Sequence, residues 1–259
     1  MKHLITTLAI LLMAIGAHAA DTLTIATQTS TLTAPLQDGT LECNIVAQVP
    51  VNGNATLQAT LNDRVNKRVA QMLESIKGEE STLPLLNSIE RALIKAVPRF
   101  NSISGRHHIS LDATLTRVYE TSQIITFRLD LEYYGTDKQR HLTIDHITIV
   151  KQNGKALQWN DVVVKKQQGK FCKTLATVMQ TYFGVKDFNN LKAQLKNGDK
   201  LTPETFPLPS DYVAVTRDGL CFAYNAGEIA DPDKGMPFCT ISLSSVWGCL
   251  TPNAKKLLK

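Results

Sequence analysis

After its first fifteen residues the chain lacks any apolar run near the roughly 20 residues that a membrane-spanning helix needs. It has no G-x-S-x-G, no P-loop and no H-E-x-x-H, the spacings that place a nucleophile, a phosphate cradle or two zinc ligands. The glycines from Gly219 to Gly235 do not have phosphate-loop spacing. No C-x-x-C pair occurs, and no histidine stands at zinc-finger spacing from a cysteine, so no metal site is expected. No short-period repeat and no low-complexity segment is present. A large charge of one sign is missing too. Lys and Arg number 28 against 23 Asp and Glu, a formal charge of +5 spread along the chain. That is ordinary solubility and not a nucleic-acid footprint.

What is present begins with an export signal. Met1-Lys2-His3 is followed by an apolar run from Leu4 to Ile15 and then Gly16-Ala17-His18-Ala19-Ala20. A positive start, a short apolar run and an A-x-A site read as a signal peptide of residues 1–19, cut after Ala19. The first cysteine is Cys43, so no lipoprotein anchor is expected. The predicted location is exported, periplasmic or extracellular. Taking 19 residues from 259 leaves 240 with a charge of +4, since only Lys2 is lost. That length buries a substantial core as one large or two small domains.

The five cysteines are Cys43, Cys172, Cys221, Cys239 and Cys249. In an oxidising compartment disulfides persist, and an odd count leaves at least one thiol over, free or paired between chains. Cys221 and Cys239 lie on two expected strands and are the candidate bridge. The other reading is that most of the five are small buried apolar residues.

Along the chain, Thr22–Thr27 and Leu41–Val51 read as strands. Asn54 is a plausible helix N-cap. Leu57, Leu61, Val65, Val69, Met72 and Ile76 then recur at helical spacing, with Arg64, Lys67, Arg68 and Glu74 outside that face. A second helix is expected after Pro84, on Leu86, Ile89, Leu93 and Val97, ending at Pro98. Four extended segments follow: His107–Thr116, Val118–Glu120, Gln123–Tyr134 and His141–Val150. In the third, Ile125, Phe127, Leu129 and Leu131 alternate with Thr126, Arg128, Asp130 and Glu132, one packed face and one wet. A third helix covers Lys165–Tyr182, with Phe171, Leu175, Val178 and Tyr182 on one face; Lys165, Lys166, Lys170 and Lys173 read as a solvated face. A short helix on Phe188, Leu191 and Leu195 and an extended connection through Pro203, Pro207 and Pro209 complete the approach to the last stretch.

That stretch runs from Thr216. Leu220, Phe222 and Tyr224 alternate with Cys221 and Ala223 as a two-faced strand. Asn225-Ala226-Gly227 and Asp231-Pro232-Asp233 break regular structure. Phe238–Leu243 is a second strand, with Ser244 or Ser245 capping a short helix. Asp218-Gly219-Leu220, Phe222, Tyr224, Glu228-Ile229-Ala230, Gly235 and Ile241 form a pattern that resembles the C-terminal domain of the anti-sigma factor RsiV and its relatives, a bacterial domain family of unknown function. Trp159-Asn160-Asp161-Val162-Val163 is similar to the segment that opens that domain. The family's aromatic before E-I is replaced here by Gly227, and an acidic insert follows. The family's G-G-A-H turn survives only as Gly135, with His141 later than expected.

Candidate chemistry is sparse. His107 and His108 point to opposite faces of a strand, as do His141 and His146, so neither pair shares a metal. Asp130 and Glu132 share one strand face roughly 7 Å apart, compatible with a glycosidase acid and base. The expectation is α+β, two packed subdomains, each an antiparallel sheet covered by helices: residues 20–155, then an RsiV-like domain over 156–259. No catalytic, cofactor or metal residues are predicted. The resemblance implies a non-catalytic binding module of the cell envelope, its ligand a cell-wall fragment or a lysozyme-like protein. Lysozyme is strongly basic and so is this chain, so complementarity has to be local. The partner-binding loop is predicted at Glu228, Asp231, Asp233 and Lys234. A cell-wall hydrolase or deacetylase and a structural envelope protein are the alternatives.

Overall fold

The computed structural model describes residues 5–11, 23–36, 39–53, 55–73, 107–135, 140–209 and 212–259. The architecture is α+β, and the chain divides into two compact units. The first holds Met1–Arg117, Phe127–Thr143 and Lys151–Lys155; the second holds Val118–Thr126, Ile144–Val150 and Ala156–Lys259. The last crossing falls after Lys155, yet the second unit also contains the ends of three strands.

The first unit is built on β1 (Ile5–Leu11), β2 (Ile25–Leu36), β3 (Gly39–Pro50), α1 (Ala55–Leu73), β4 (His107–Glu120), β5 (Ile124–Tyr134) and β6 (Arg140–Val150). Among the described residues these strands form one six-stranded sheet in the order β1-β2-β3-β4-β5-β6. It is not purely antiparallel. β3 and β4 run parallel, from Gly39 against His107 to Ala47 against Leu115. Parallel neighbours require a crossover, and α1 lies on it. The short connections after β4 and β5 make their neighbours antiparallel for the same reason.

Alternation sets the faces. Leu41, Cys43, Ile45 and Ala47 of β3 are buried beside Ile109, Leu111, Ala113 and Leu115 of β4. On the other face Asn44 Nδ2 donates to Asp112 Oδ1 at 3.0 Å, directly across the parallel register. α1 buries Leu57, Leu61, Val65 and Val69 of the expected stripe, and Arg64, expected outside that face, is buried as well; Glu74 and Ile76 lie outside the described residues. Two expected segments, His107–Thr116 and Val118–Glu120, are one strand. The β3 ladder stops at Ala47, and the Gln48 side chain then accepts from the Arg117 amide at 2.8 Å, carrying the strand onward. Ile5–Leu11, within the apolar run read as a leader, form β1, antiparallel on the outer side of β2. The helix expected after Pro84 lies outside the described residues.

The second unit adds α2 (Trp159–Val162), a 3-10 turn at Lys165–Gln167, α3 (Gln168–Tyr182) and α4 (Phe188–Lys192). A three-stranded antiparallel sheet of β7 (Ala214–Thr216), β8 (Gly219–Ala223) and β9 (Phe238–Ile241) follows, then α5 (Leu243–Val246) and α6 (Pro252–Leu257). α3 buries Phe171, Cys172, Leu175, Ala176 and Met179, while Lys165, Lys166, Lys170 and Lys173 are exposed. Val178 and Tyr182 are only partly buried. Leu243 opens α5 instead of extending β9.

An aromatic trio anchors this core. Phe222 stacks on Trp159 with centroids 5.0 Å apart, and Phe171 is tilted against both at 5.8 and 5.9 Å. Thr148 of β6 is a polar knot inside it. Its hydroxyl meets that of Thr126 at 2.9 Å and accepts from the Val215 amide at 3.0 Å, and its carbonyl accepts from the Leu157 amide at 2.8 Å. Gly219 has φ +135°, and any Cβ there would collide with the Ile241 carbonyl, so the D-G turn between β7 and β8 requires glycine.

Candidate functional site

The cysteine bridge is not there. All five cysteines are thiols. The register gives the reason: Cys221 faces Thr240 and Cys239 faces Phe222. An offset of one residue puts Cys221 and Cys239 on opposite faces of β8-β9, where no disulfide can form. Cys43, Cys172, Cys239 and Cys249 are buried, and only Cys221 is partly accessible. A covalent dimer through a surface thiol therefore has little to work with. Burial pushes the Cys172 thiol up, and burial together with the neighbouring Cys221 pushes Cys239 up to about 12. Thiols that resist ionisation are poor nucleophiles and poor disulfide partners.

The carboxylate pair is committed elsewhere. Arg128 holds Asp130 with its Nε at 3.0 Å and an Nη at 2.7 Å. Arg140 bonds Glu132, and that bond raises the guanidinium's own pKa. Carboxylates already committed to arginines on an exposed strand face are not arranged as a glycosidase acid and base. His108 shares a 3.0 Å hydrogen bond with the Thr40 hydroxyl, its neighbour across the register, and His141 stacks on Tyr133. Among the described residues no three His, Cys, Asp or Glu side chains converge as a metal site.

The loop of Glu228, Asp231, Asp233 and Lys234 is held at many points. Asn225 and Glu228 close a turn: the Glu228 amide donates to the Asn225 carbonyl at 2.9 Å, and the Asn225 amide donates to Glu228 Oε2 at 2.8 Å. Asn225 Oδ1 accepts from the Ile144 amide at 2.9 Å, pinning the turn to β6. The Lys196 ammonium donates to the Gly227 carbonyl, and its amide donates to the Ile229 carbonyl at 2.8 Å. Ile229 and Ala230 are buried below. Pro232–Lys234 form a 3-10 turn, closed by the Gly235 amide on the Pro232 carbonyl.

Of the four predicted loop residues, Glu228 spends its carboxylate on the turn. Asp231 precedes the 3-10 turn and Asp233 and Lys234 lie on it, all three exposed, with Lys234 Nζ 3.8 Å from Asp233. Beside them is an aromatic surface that the sequence reading did not single out. The Tyr182 hydroxyl donates to the Lys234 carbonyl at 2.8 Å, and Phe238 stands edge-on to the Tyr182 ring at 6.2 Å. Phe238 is 62% exposed, the most open large apolar side chain among the described residues. The signal was available: with Cys239 and Ile241 facing inward, the period of two turns Phe238 outward.

The resulting surface is small, rigid and mixed: two carboxylates and one ammonium on a short turn, next to an aromatic pair. An exposed ring beside hydrogen-bonding carboxylates can stack on the apolar face of a partner while the acids accept its hydroxyls or cations.

No protein-family description and no curated protein matches this sequence. Solved structures resemble it in fold. A DUF3298 family member from Pseudomonas aeruginosa PAO1 has a TM-score of 0.59 at 14% identity, over 90% of this chain and 97% of that one. A DUF3298 family member from Bacteroides fragilis has a TM-score of 0.66 at 13% identity, over 89% and 94%. The chain is thus similar in fold to members of an uncharacterised bacterial domain family, DUF3298.

Proposed function

We propose that this protein is an exported, RsiV-like, non-catalytic binding module of the bacterial cell envelope that recognises its ligand through the 225–238 surface. The observation that carries this reading is the anchored turn itself. Asp231 and Asp233 are exposed while the backbone around them is tied to Lys196, Tyr182 and β6, so little ordering is left to occur on binding. Phe238 supplies an apolar platform in the same place. Ligands that fit are a cell-wall saccharide, whose ring faces stack and whose hydroxyls donate to carboxylates, and a lysozyme-like protein presenting basic side chains.

The test is a pull-down with peptidoglycan fragments and with lysozyme, run beside a turnover assay on the same fragments. Saturable binding without turnover supports a binding module. Turnover lost on adding a chelator, or in Asp130→Asn, would replace this reading with a cell-wall hydrolase or deacetylase. Neither binding nor turnover would leave the structural envelope role.

A further inference from the structure

We propose that the outer edge of β2 is a self-association edge. Once the leader is removed, two copies of the chain pair β2 against β2, antiparallel, into one continuous sheet. This rests on the export reading, because the leader covers that edge.

The ladder fixes which backbone groups point outward. The Val51 amide donates to the Thr24 carbonyl at 2.9 Å, and the register with β3 then runs unbroken from Ile25 against Pro50 to Leu36 against Gly39. In an antiparallel ladder bonded pairs alternate, so even-numbered residues of β2 bond β3. The amides and carbonyls of Ile25, Thr27, Thr29, Thr31 and Thr33 point the other way. β1 covers that side, from Ile5 against Thr33 to Leu11 against Thr27. The edge therefore accepts an antiparallel strand, and cleavage after Ala19 takes that strand away.

Edges that are meant to stay single carry charges, bulges or proline. From Thr22 to Leu36 there is no charged residue. Pro35 is the one safeguard, an outward position without a donor, and it sits at the far end. A second copy suits this edge. A twofold axis at Thr29 sets Thr29 against itself, Thr27 against Thr31 and Ile25 against Thr33, and leaves Pro35 beyond the pairing. Odd then meets odd, so the buried face of Ala26, Leu32, Ala34 and Leu36 continues across the join. Thr–Thr cross-strand pairs are favourable, and no like charges oppose one another in a chain that is otherwise net positive.

Sedimentation equilibrium on the processed protein recovered after export, and on the full-length chain, decides this. The expected result is a dimer for the processed protein and a monomer for the full-length chain. Thr31→Lys and Thr29→Pro should each weaken association at least tenfold. Hydrogen exchange on the unmodified processed protein reads the same edge where a variant folds poorly: the Thr27, Thr29, Thr31 and Thr33 amides should gain protection as concentration rises. A processed protein that stays monomeric with these amides exchanging fast overturns the proposal, as does a dimer indifferent to both variants. Protected amides in a monomer would assign the edge to another strand and overturn the second copy. Failure of the export reading shows separately, as residues Ile5–Leu11 still present by mass in the recovered protein.

Discussion

Tyr224 makes the sharpest stability prediction. Its ring is 1% exposed and edge-on to Phe206, and its hydroxyl donates to the Pro207 carbonyl at 2.7 Å. Two residues on, Trp159 Nε1 donates to the Pro209 carbonyl at 3.0 Å. Prolines 207 and 209 offer no amide of their own, so the connection into β7 is held through its carbonyls by these two aromatic heads. Tyr224→Phe keeps the ring and removes one donor, leaving the Pro207 carbonyl unpaired, at a cost of about 1–3 kcal/mol. With a urea slope of about 2 kcal/mol/M, the midpoint should fall by roughly 0.5–1.5 M with the slope unchanged. Tryptophan fluorescence reports the transition, since Trp159 belongs to the same core.

A pH series adds a second readout. Burial raises the Tyr224 pKa well above 10, with smaller effects from Cys239 and Glu228. Below the ordinary tyrosine range both folded and unfolded chains keep the proton, and the contribution is intact. Above it the unfolded chain ionises first, so stability is lost as pH rises. Tyr224→Phe should lose less stability than the parent over that alkaline range. An unchanged urea midpoint, or a phenol that titrates in the folded protein at the ordinary value, would place the hydroxyl in water and refute the reasoning.

Phe222→Ala removes one ring of the aromatic trio and should cost about 3–5 kcal/mol in the same urea assay. A loss well under that would mean the rings are not a packed unit. Cys239 should resist alkylation in the folded protein at mildly alkaline pH, with Cys221 the first to react. Mass spectrometry of the labelled peptides reads the order, and early labelling of Cys239 contradicts its burial. Asp130→Asn should leave ligand binding unchanged, since that carboxylate serves Arg128 and lies outside the binding surface.

Local signals were legible in the sequence, and pairings were not. The α1 stripe follows from four-residue spacing alone, and Leu57, Leu61, Val65 and Val69 are all buried. The core role of Leu220, Phe222 and Tyr224 follows from alternation in the same way. The parallel β3–β4 pair has no local signature, because it joins residues more than sixty positions apart, and an all-antiparallel sheet was expected in its place. The break read after Thr116 was a case of the same problem: Gln48, far back in the chain, keeps β4 extended past Arg117. The Cys221–Cys239 bridge failed on a one-residue register offset that spacing cannot reveal. For the candidate surface, the acidic turn was visible as an insert, whereas Phe238 emerged only when β9 acquired an inside and an outside.

The most direct measurement of the central claim is a titration of the processed protein with soluble peptidoglycan fragments and with lysozyme, comparing the parent with Asp231→Asn/Asp233→Asn and with Phe238→Ala. Saturable binding to one of the two ligands is expected, weakened at least tenfold in each variant, with unchanged folding and no turnover. Binding that survives both variants, or turnover of the fragments by the parent, would contradict it.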